Sequence, residues 1–292
     1  MVTTIKKIAI AHEHPLALTR EVEASTDTSF YIATICASIP EYFEHAKQDK
    51  KHKILDCGTF EEGYPMDNET YITYIKAINP EEFVIPDHLF DKDKTLESAM
   101  LWLDLIKKHD LKGLPIVVVQ GKNLEEHVEC YLELVKHFDK IAIPYDLQTP
   151  DKTPTQVVRT EFGGTLEFDA GGRFKLIKHL VDNDLLDRSK QYHFLGMDTT
   201  IEFTNYMTAG IELSFVDSID TSSPVLHGLK GIAYNSDHGL LVKNRLMMKE
   251  LILEKDINEI QKYLIQRNIA IFKAIMLGAS DKALVDSLEV KE

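Results

Sequence analysis

Eight short apolar runs punctuate the chain, and they decide what it can fold into. They are Ile5–Ala11, Phe30–Ala37, Ile54–Leu55, Phe83–Pro86, Pro115–Val119, Ile141–Pro144, Tyr192–Gly196 and Leu213–Val216. Several are near-continuous in Val and Ile, as strands buried on both faces of a parallel sheet require. Amphipathic stretches fill many of the gaps. Thr95–His109 carries apolar residues at helical spacing and ends in lysines, and Asn123–His137 starts with an N-cap asparagine and two acids. Glu69–Asn79 and Ile201–Ala209 are shorter versions. Strand and helix alternating to a count of eight strands predicts an α/β fold, a (β/α)8 TIM barrel. An open doubly wound sheet is the competing arrangement.

A single domain over residues 1–292 follows, since 292 residues suit one large barrel and no linker is readable. Two segments break the alternation. Residues 147–174, rich in Thr, Pro and Gly, are expected to form a long loop or lid. Residues 229–243 are expected to form an appended β-hairpin around the turn at Ser236-Asp237-His238-Gly239. The tail over 247–277 reads as two helices.

The chain holds 33 Lys and Arg against 47 Asp and Glu, a net charge of −14, so a broadly basic nucleic-acid binder is disfavoured while one local basic face is not. Lys243, Arg245, Lys249 and Lys255 are candidates for such a face, as are Arg159, Arg173 and Lys175, although a solvated surface accounts for them slightly better. Cys36, Cys57 and Cys130 form no paired motif, which argues against a zinc site or a disulfide framework and fits a cytoplasmic chain. No apolar stretch is long enough to span a membrane.

In a barrel, chemistry sits at the C-terminal ends of the strands. The third run ends in Asp56, the fourth in Asp87, the fifth in Gln120, the sixth in Pro144, the seventh in Gly196 and the eighth in Asp217; the first ends in His12-Glu13-His14. One Asp after a strand usually caps a turn. Three with an amide suggest a site that uses cations or proton transfers. Two chemistries fit. Metal-dependent hydrolysis of the amidohydrolase type would use His12, His14 and Asp217. It also needs histidines where Gln120 and Pro144 stand. Glycosyl transfer would use one Asp as nucleophile and a second for the proton.

Several segments, in order, resemble the tRNA-guanine transglycosylases and their relatives, the phage-type 7-deazaguanine DNA transglycosylases. Leu55-Asp56-Cys57-Gly58-Thr59-Phe60-Glu61 is similar to the family's Asp-Ser-Gly-Gly-Phe/Tyr-Gln motif. Asn68–Asp87 resembles the helix and strand that end in the base-binding Asp. Ser98–Trp102 resembles the following helix, Val119-Gln120-Gly121 the Gln-Gly strand end, and His193–Met197 the Tyr-Leu-Met-Gly-Val strand. Phe215-Val216-Asp217-Ser218 resembles the Phe-Asp-Cys/Ser nucleophile motif, and Asn268–Phe272 a C-terminal helix element.

The resemblance implies Asp217 as nucleophile and Asp56 as general acid and base. It implies that Asp87 and Gln120 bind the edge of guanine or a 7-deazaguanine, that Phe60 stacks on the base, and that Gly58, Gly196 and the backbone at Ile143-Pro144 complete the base site. It implies no cofactor and, as partners, a nucleic acid and a free base, with a homodimer for which no interface is readable. His12 and His14 are then structural or substrate-contacting rather than metal ligands, Cys57 is a packing residue and Trp102 a core residue. Thr59, Glu61 and the segment Ala142-Ile143-Pro144-Tyr145 depart from the family pattern. So does the absence of the Cys-x-Cys-x2-Cys zinc motif after the nucleophile segment, which tilts the expectation from tRNA to DNA and a preQ0-type base. The alternatives are a tRNA enzyme, an amidohydrolase and a non-catalytic partner subunit.

Overall fold

The computed structural model describes residues 8–145, 156–159, 165–168, 171–197, 199–235, 239 and 248–277. Its strands are β1 Ala9–His12, β2 Ser29–Ile32, β3 Lys53–Asp56, β4 Glu82–Val84, β5 Leu114–Val118, β6 Lys140–Pro144, β7 Gln156–Arg159, β8 Thr165–Phe168, β9 Gln191–Leu195 and β10 Val216–Thr221. Eight of them form one parallel sheet in the order β1-β10-β9-β6-β5-β4-β3-β2, while β7 and β8 pair antiparallel on their own. The sheet curls until its edges meet: the Asp27 N–H, just before β2, donates to the Ile10 carbonyl of β1 at 3.0 Å. The result is the nearly closed (β/α)8 barrel that the alternation predicts.

The strands are filled by residues that tolerate burial on both sides. Ile10, Ile54, Leu55, Phe83, Ile116, Ile141, Ala142 and Phe194 are all fully buried. The surrounding helices start where local chemistry caps them. Asp67, Asp91 and Asn123 each accept a backbone N–H three residues on, opening the helices Asn68–Ile78, Lys92–His109 and Leu124–Leu134. Trp102 is buried on the second of these, and its indole N–H donates to Asn68 Oδ1 at 3.0 Å. No helix among the described residues is long and apolar enough to cross a membrane.

Four expectations change. The eighth strand runs over Val216–Thr221, beginning where the apolar run ends. Its inward residues are polar, so hydrophobicity does not mark it. The 147–174 segment is not one loop: it contains the β7–β8 pair, and a helix starts at Gly171. The two tail helices are a short 3-10 turn, Met248–Glu250, and one long helix, Glu259–Met276, which starts at a reciprocal Asn258–Gln261 capping box. In the 229–243 hairpin, Gly231–Tyr234 forms no strand, and one antiparallel bridge joins Asn235 to Gly239. Residues 236–238 and 240–247, which would complete it, lie outside the described residues.

The end of the barrel away from the mouth is closed by charge. Lys140 and Glu82 pair at 2.5 Å, both almost buried, and His52 meets the other Glu82 oxygen at 3.0 Å. Burial alone would raise the Glu82 carboxyl; the His52 and Lys140 contacts outweigh it and hold the group at about 2. Its pKa is therefore lower folded than unfolded. The stability this gives is present above the ordinary carboxylate range and is lost as pH falls from there toward 2. Glu82→Gln is expected to cost about 3 kcal/mol at neutral pH, because Lys140 loses its buried partner. It should also flatten acid unfolding in that window, as denaturant titrations at several pH values would show.

Candidate active site

The C-terminal strand ends enclose a cavity of about 440 Å³, a size suited to a small planar ligand. Asp56, Asp87, Gln120, Gly196 and Asp220 all line it, each at or just beyond a strand end, with Glu13 and Glu61 alongside.

Asp56 is the last residue of β3. Its Oδ1 accepts the Gly58 N–H at 2.5 Å. Gly58 has φ +86°, and a Cβ there would lie 2.1 Å from Thr34 Oγ1, so only glycine makes this turn without displacing Thr34. The turn starts the short helix Thr59–Glu62, which brings Phe60 to the rim, where it lines the cavity while 58% exposed. An aromatic ring left open to water at a cavity mouth is suited to stacking on a planar ligand. Cys57 points away into the core, its Sγ 3.1 Å from Thr59 Oγ1.

Asp87 and Gln120 act as one unit. The Gln120 amide donates to Asp87 Oδ2 at 2.6 Å, and its carbonyl accepts the Phe90 N–H at 3.1 Å. The pair presents fixed acceptors and a donor to anything that enters.

Asp220 sits near the end of β10. Its Oδ1 accepts from His193 Nε2 at 3.0 Å and from the Gly196 N–H at 2.9 Å. Both bonds fall on one oxygen, which leaves Oδ2 for the cavity.

Asp217 is not in the cavity. The β9–β10 register breaks between Val216 and Ser218, making Asp217 the extra residue of a β-bulge. Its Oδ2 accepts the Tyr192 N–H at 2.9 Å. It lies three positions before Asp220 on β10, about 10 Å back along the strand toward the closed end. The expectation that Asp217 stands at the mouth is corrected on this ground. Ile143 is corrected too. It is fully buried, and its carbonyl is taken by Arg173 Nη1 at 2.8 Å. Gly58 lies behind Asp56 with its N–H already used, whereas Pro144 and Gly196 line the cavity.

Sequence reasoning missed Asp220 and the cavity role of Glu13. A signal for Asp220 was available: Ser222-Ser223-Pro224 opens the next helix, Ser223–Leu229, so the strand had to run on nearly to that point.

Among the described residues no Lys, Arg or His lines the cavity. Burial, then Glu61, raise the Asp56 carboxyl well above its ordinary range, although the Gly58 bond opposes this. Burial and then Asp220 do the same to Glu13. Burial carries Glu61 up to about 7. Burial also raises Asp87, against the Gln120 and Thr59 bonds. A site of this kind holds a proton-donating carboxyl at neutral pH, as general acid catalysis needs.

His12 and His14 face elsewhere. His12 packs edge-on against Phe272 of the long C-terminal helix at 5.9 Å, and burial, then Lys273, hold it down to about 3. His14 turns its Nδ1 to the His12 carbonyl at 2.8 Å, and burial holds it at about 4. Among the described residues no three His, Cys, Asp or Glu side chains are placed to share a metal ion. Arg173 is no phosphate-binding loop residue: it is fully buried on the helix Gly171–Asp182, paired with Glu202 at 2.7 Å. Lys249 reaches the Glu61 carbonyl and Glu62, and Lys255 is exposed. The Arg159 side chain, Lys243 and Arg245 lie outside the described residues. Compared with protein-family models and with curated protein sequences, the chain matches none.

Proposed function

We propose that this protein is a base-exchange transglycosylase that replaces guanine in DNA with a 7-deazaguanine through a covalent aspartyl intermediate. The observation that carries this reading is the convergence of Asp220, Asp56 and the Asp87–Gln120 pair on one cavity with room for a base and its sugar. The resemblance of the surrounding motifs supports it and points to the DNA-modifying branch.

On this reading Asp220, not Asp217, is the nucleophile. Its Oδ2 attacks C1′ of the target nucleoside, the C1′–N9 bond breaks with its electron pair on the base, and the Asp56 carboxyl protonates that nitrogen. The incoming base then gives its N9 proton back to Asp56. Its N9 attacks C1′, and the C1′–Oδ2 ester bond breaks. Each step conserves one glycosidic-type bond, so no energy source is required. The Asp87 carboxylate accepts from the N–H groups on the base edge, the Gln120 amide fixes that orientation, and Phe60 stacks on the ring. A duplex would have to release the guanine from its stack, at about a few kcal/mol.

The test is incorporation of labelled guanine. Purified protein is offered duplex DNA, single-stranded DNA and unmodified tRNA, with and without competing 7-cyano-7-deazaguanine. Label entering DNA, and suppressed by the competitor, is the expected result. Label entering tRNA alone would keep the chemistry and change the nucleic acid. Label entering none of them contradicts the reading.

A further inference from the structure

A buried chain of side chains lies beneath the cavity floor. Ser218, His193 and Asp220 all point into the barrel. His193 Nδ1 meets Ser218 Oγ at 2.8 Å, and Nε2 meets Asp220 Oδ1 at 3.0 Å. The imidazole is fully buried and stacked at 4° on Phe30, a cavity residue, with ring centroids 5.9 Å apart. The composition is that of a serine hydrolase triad, but the order is reversed. Ser218 is buried and does not line the cavity; Asp220 does. The open end of the chain is the carboxylate.

We infer that His193 is a positioning residue for the Asp220 nucleophile, with its ring anchored at Nδ1 by the Ser218 hydroxyl. This rests on the reading of Asp220 given above. The Asp220 carboxylate can only accept, so the imidazole N–H at Nε2 is aimed at Oδ1, and the Ser218 hydroxyl partners Nδ1. Gly196 N–H meets the same oxygen. The two donors fix the carboxylate plane and direct Oδ2 toward C1′. When the ester forms, Oδ1 becomes its carbonyl oxygen; when the ester breaks, charge returns to the carboxylate, where both donors already stand. The Nε2 proton stays in place throughout, so His193 is neither acid nor base in the reaction.

The test compares His193→Phe, His193→Gln and Ser218→Ala with the wild type, reading kcat and KM for exchange and the fraction of protein trapped as a covalent adduct after acid quench. The phenylalanine keeps a ring against Phe30 and removes the donor. Its kcat is expected to fall about 10²–10³-fold with a matching loss of trapped adduct. Its KM for the free base should stay within about twofold, since His193 does not touch the cavity. Glutamine can restore a donor near the Nε2 position, so it should recover kcat to within about tenfold of wild type. Should His193→Phe fail to fold, Ser218→Ala carries the test, with kcat reduced and KM unchanged. His193→Phe retaining kcat within about threefold overturns the inference. So does equal loss in the phenylalanine and glutamine variants together with a raised KM, the pattern of a structural role. Both outcomes leave the exchange function standing. A wild-type protein that exchanges no base overturns the function first and this inference with it.

Discussion

Asp220→Asn is expected to abolish base exchange, while Asp217→Ala leaves it close to the wild-type rate. The asparagine keeps an oxygen where His193 and Gly196 donate, so the strand end stays in place and only the nucleophile is lost. Removal of a covalent nucleophile lowers kcat by about 10⁴–10⁶-fold in enzymes that depend on one. Asp217 instead holds the Tyr192 N–H at the bulge. Its loss should cost about 1 kcal/mol of stability and little activity. Exchange rates of the two variants, measured beside unfolding midpoints, separate the two aspartates: one loses rate without stability, the other the reverse.

Arg173→Met is expected to destabilise the protein by about 3–5 kcal/mol, the cost of leaving one member of a buried ion pair alone. Arg173 and Glu202 are both fully buried. The guanidinium donates through Nε and Nη2 to the two Glu202 oxygens, and Tyr206 adds a bond to the same carboxylate. Its Nη1 ties the carbonyls of Ile143 and Leu195 together at 2.8 and 2.9 Å, clamping the ends of β6 and β9 beside Gly196. The methionine therefore strands a carboxylate and removes the donor shared by two carbonyls beside the cavity. Adding Glu202→Leu should return much of the stability, because no charge then remains unpaired. It should not restore full activity, because the carbonyl clamp is still missing. Denaturant midpoints and exchange rates of the single and double variants check both parts.

The barrel was legible because Val and Ile mark strands buried on both faces, as Pro115–Val119 and Ile141–Pro144 do. Caps at Asp67, Asp91 and Asn123 fix where three of the helices begin. Asp56, Asp87, Gln120, Pro144 and Gly196 were legible for the same reason, since each follows or ends an apolar run, whereas Phe60 was legible only through the resemblance of the motif around Asp56. The eighth strand was not. Ser218 and Asp220 point into a polar barrel interior, so the apolar run stops at Val216 and the strand does not. That misplaces the strand end and puts Asp217 where Asp220 stands. The bulge adds a second difficulty, because it breaks the alternation that would otherwise assign inward and outward residues. Arg173 was misread for a different reason: its partner Glu202 lies 29 residues away, and nothing local marks an arginine that will be buried.

The central claim is a covalent bond between Asp220 and the sugar of the target nucleoside. Mapping that bond tests it most directly. Wild-type protein would be mixed with guanine-containing DNA, and in parallel with tRNA, quenched in acid, digested and analysed by mass spectrometry. The account predicts a nucleic-acid adduct on the peptide that holds both aspartates, with fragmentation placing it on Asp220, and no adduct in the Asp220→Asn variant. An adduct on Asp217, or exchange that proceeds undiminished in Asp220→Asn, would contradict it.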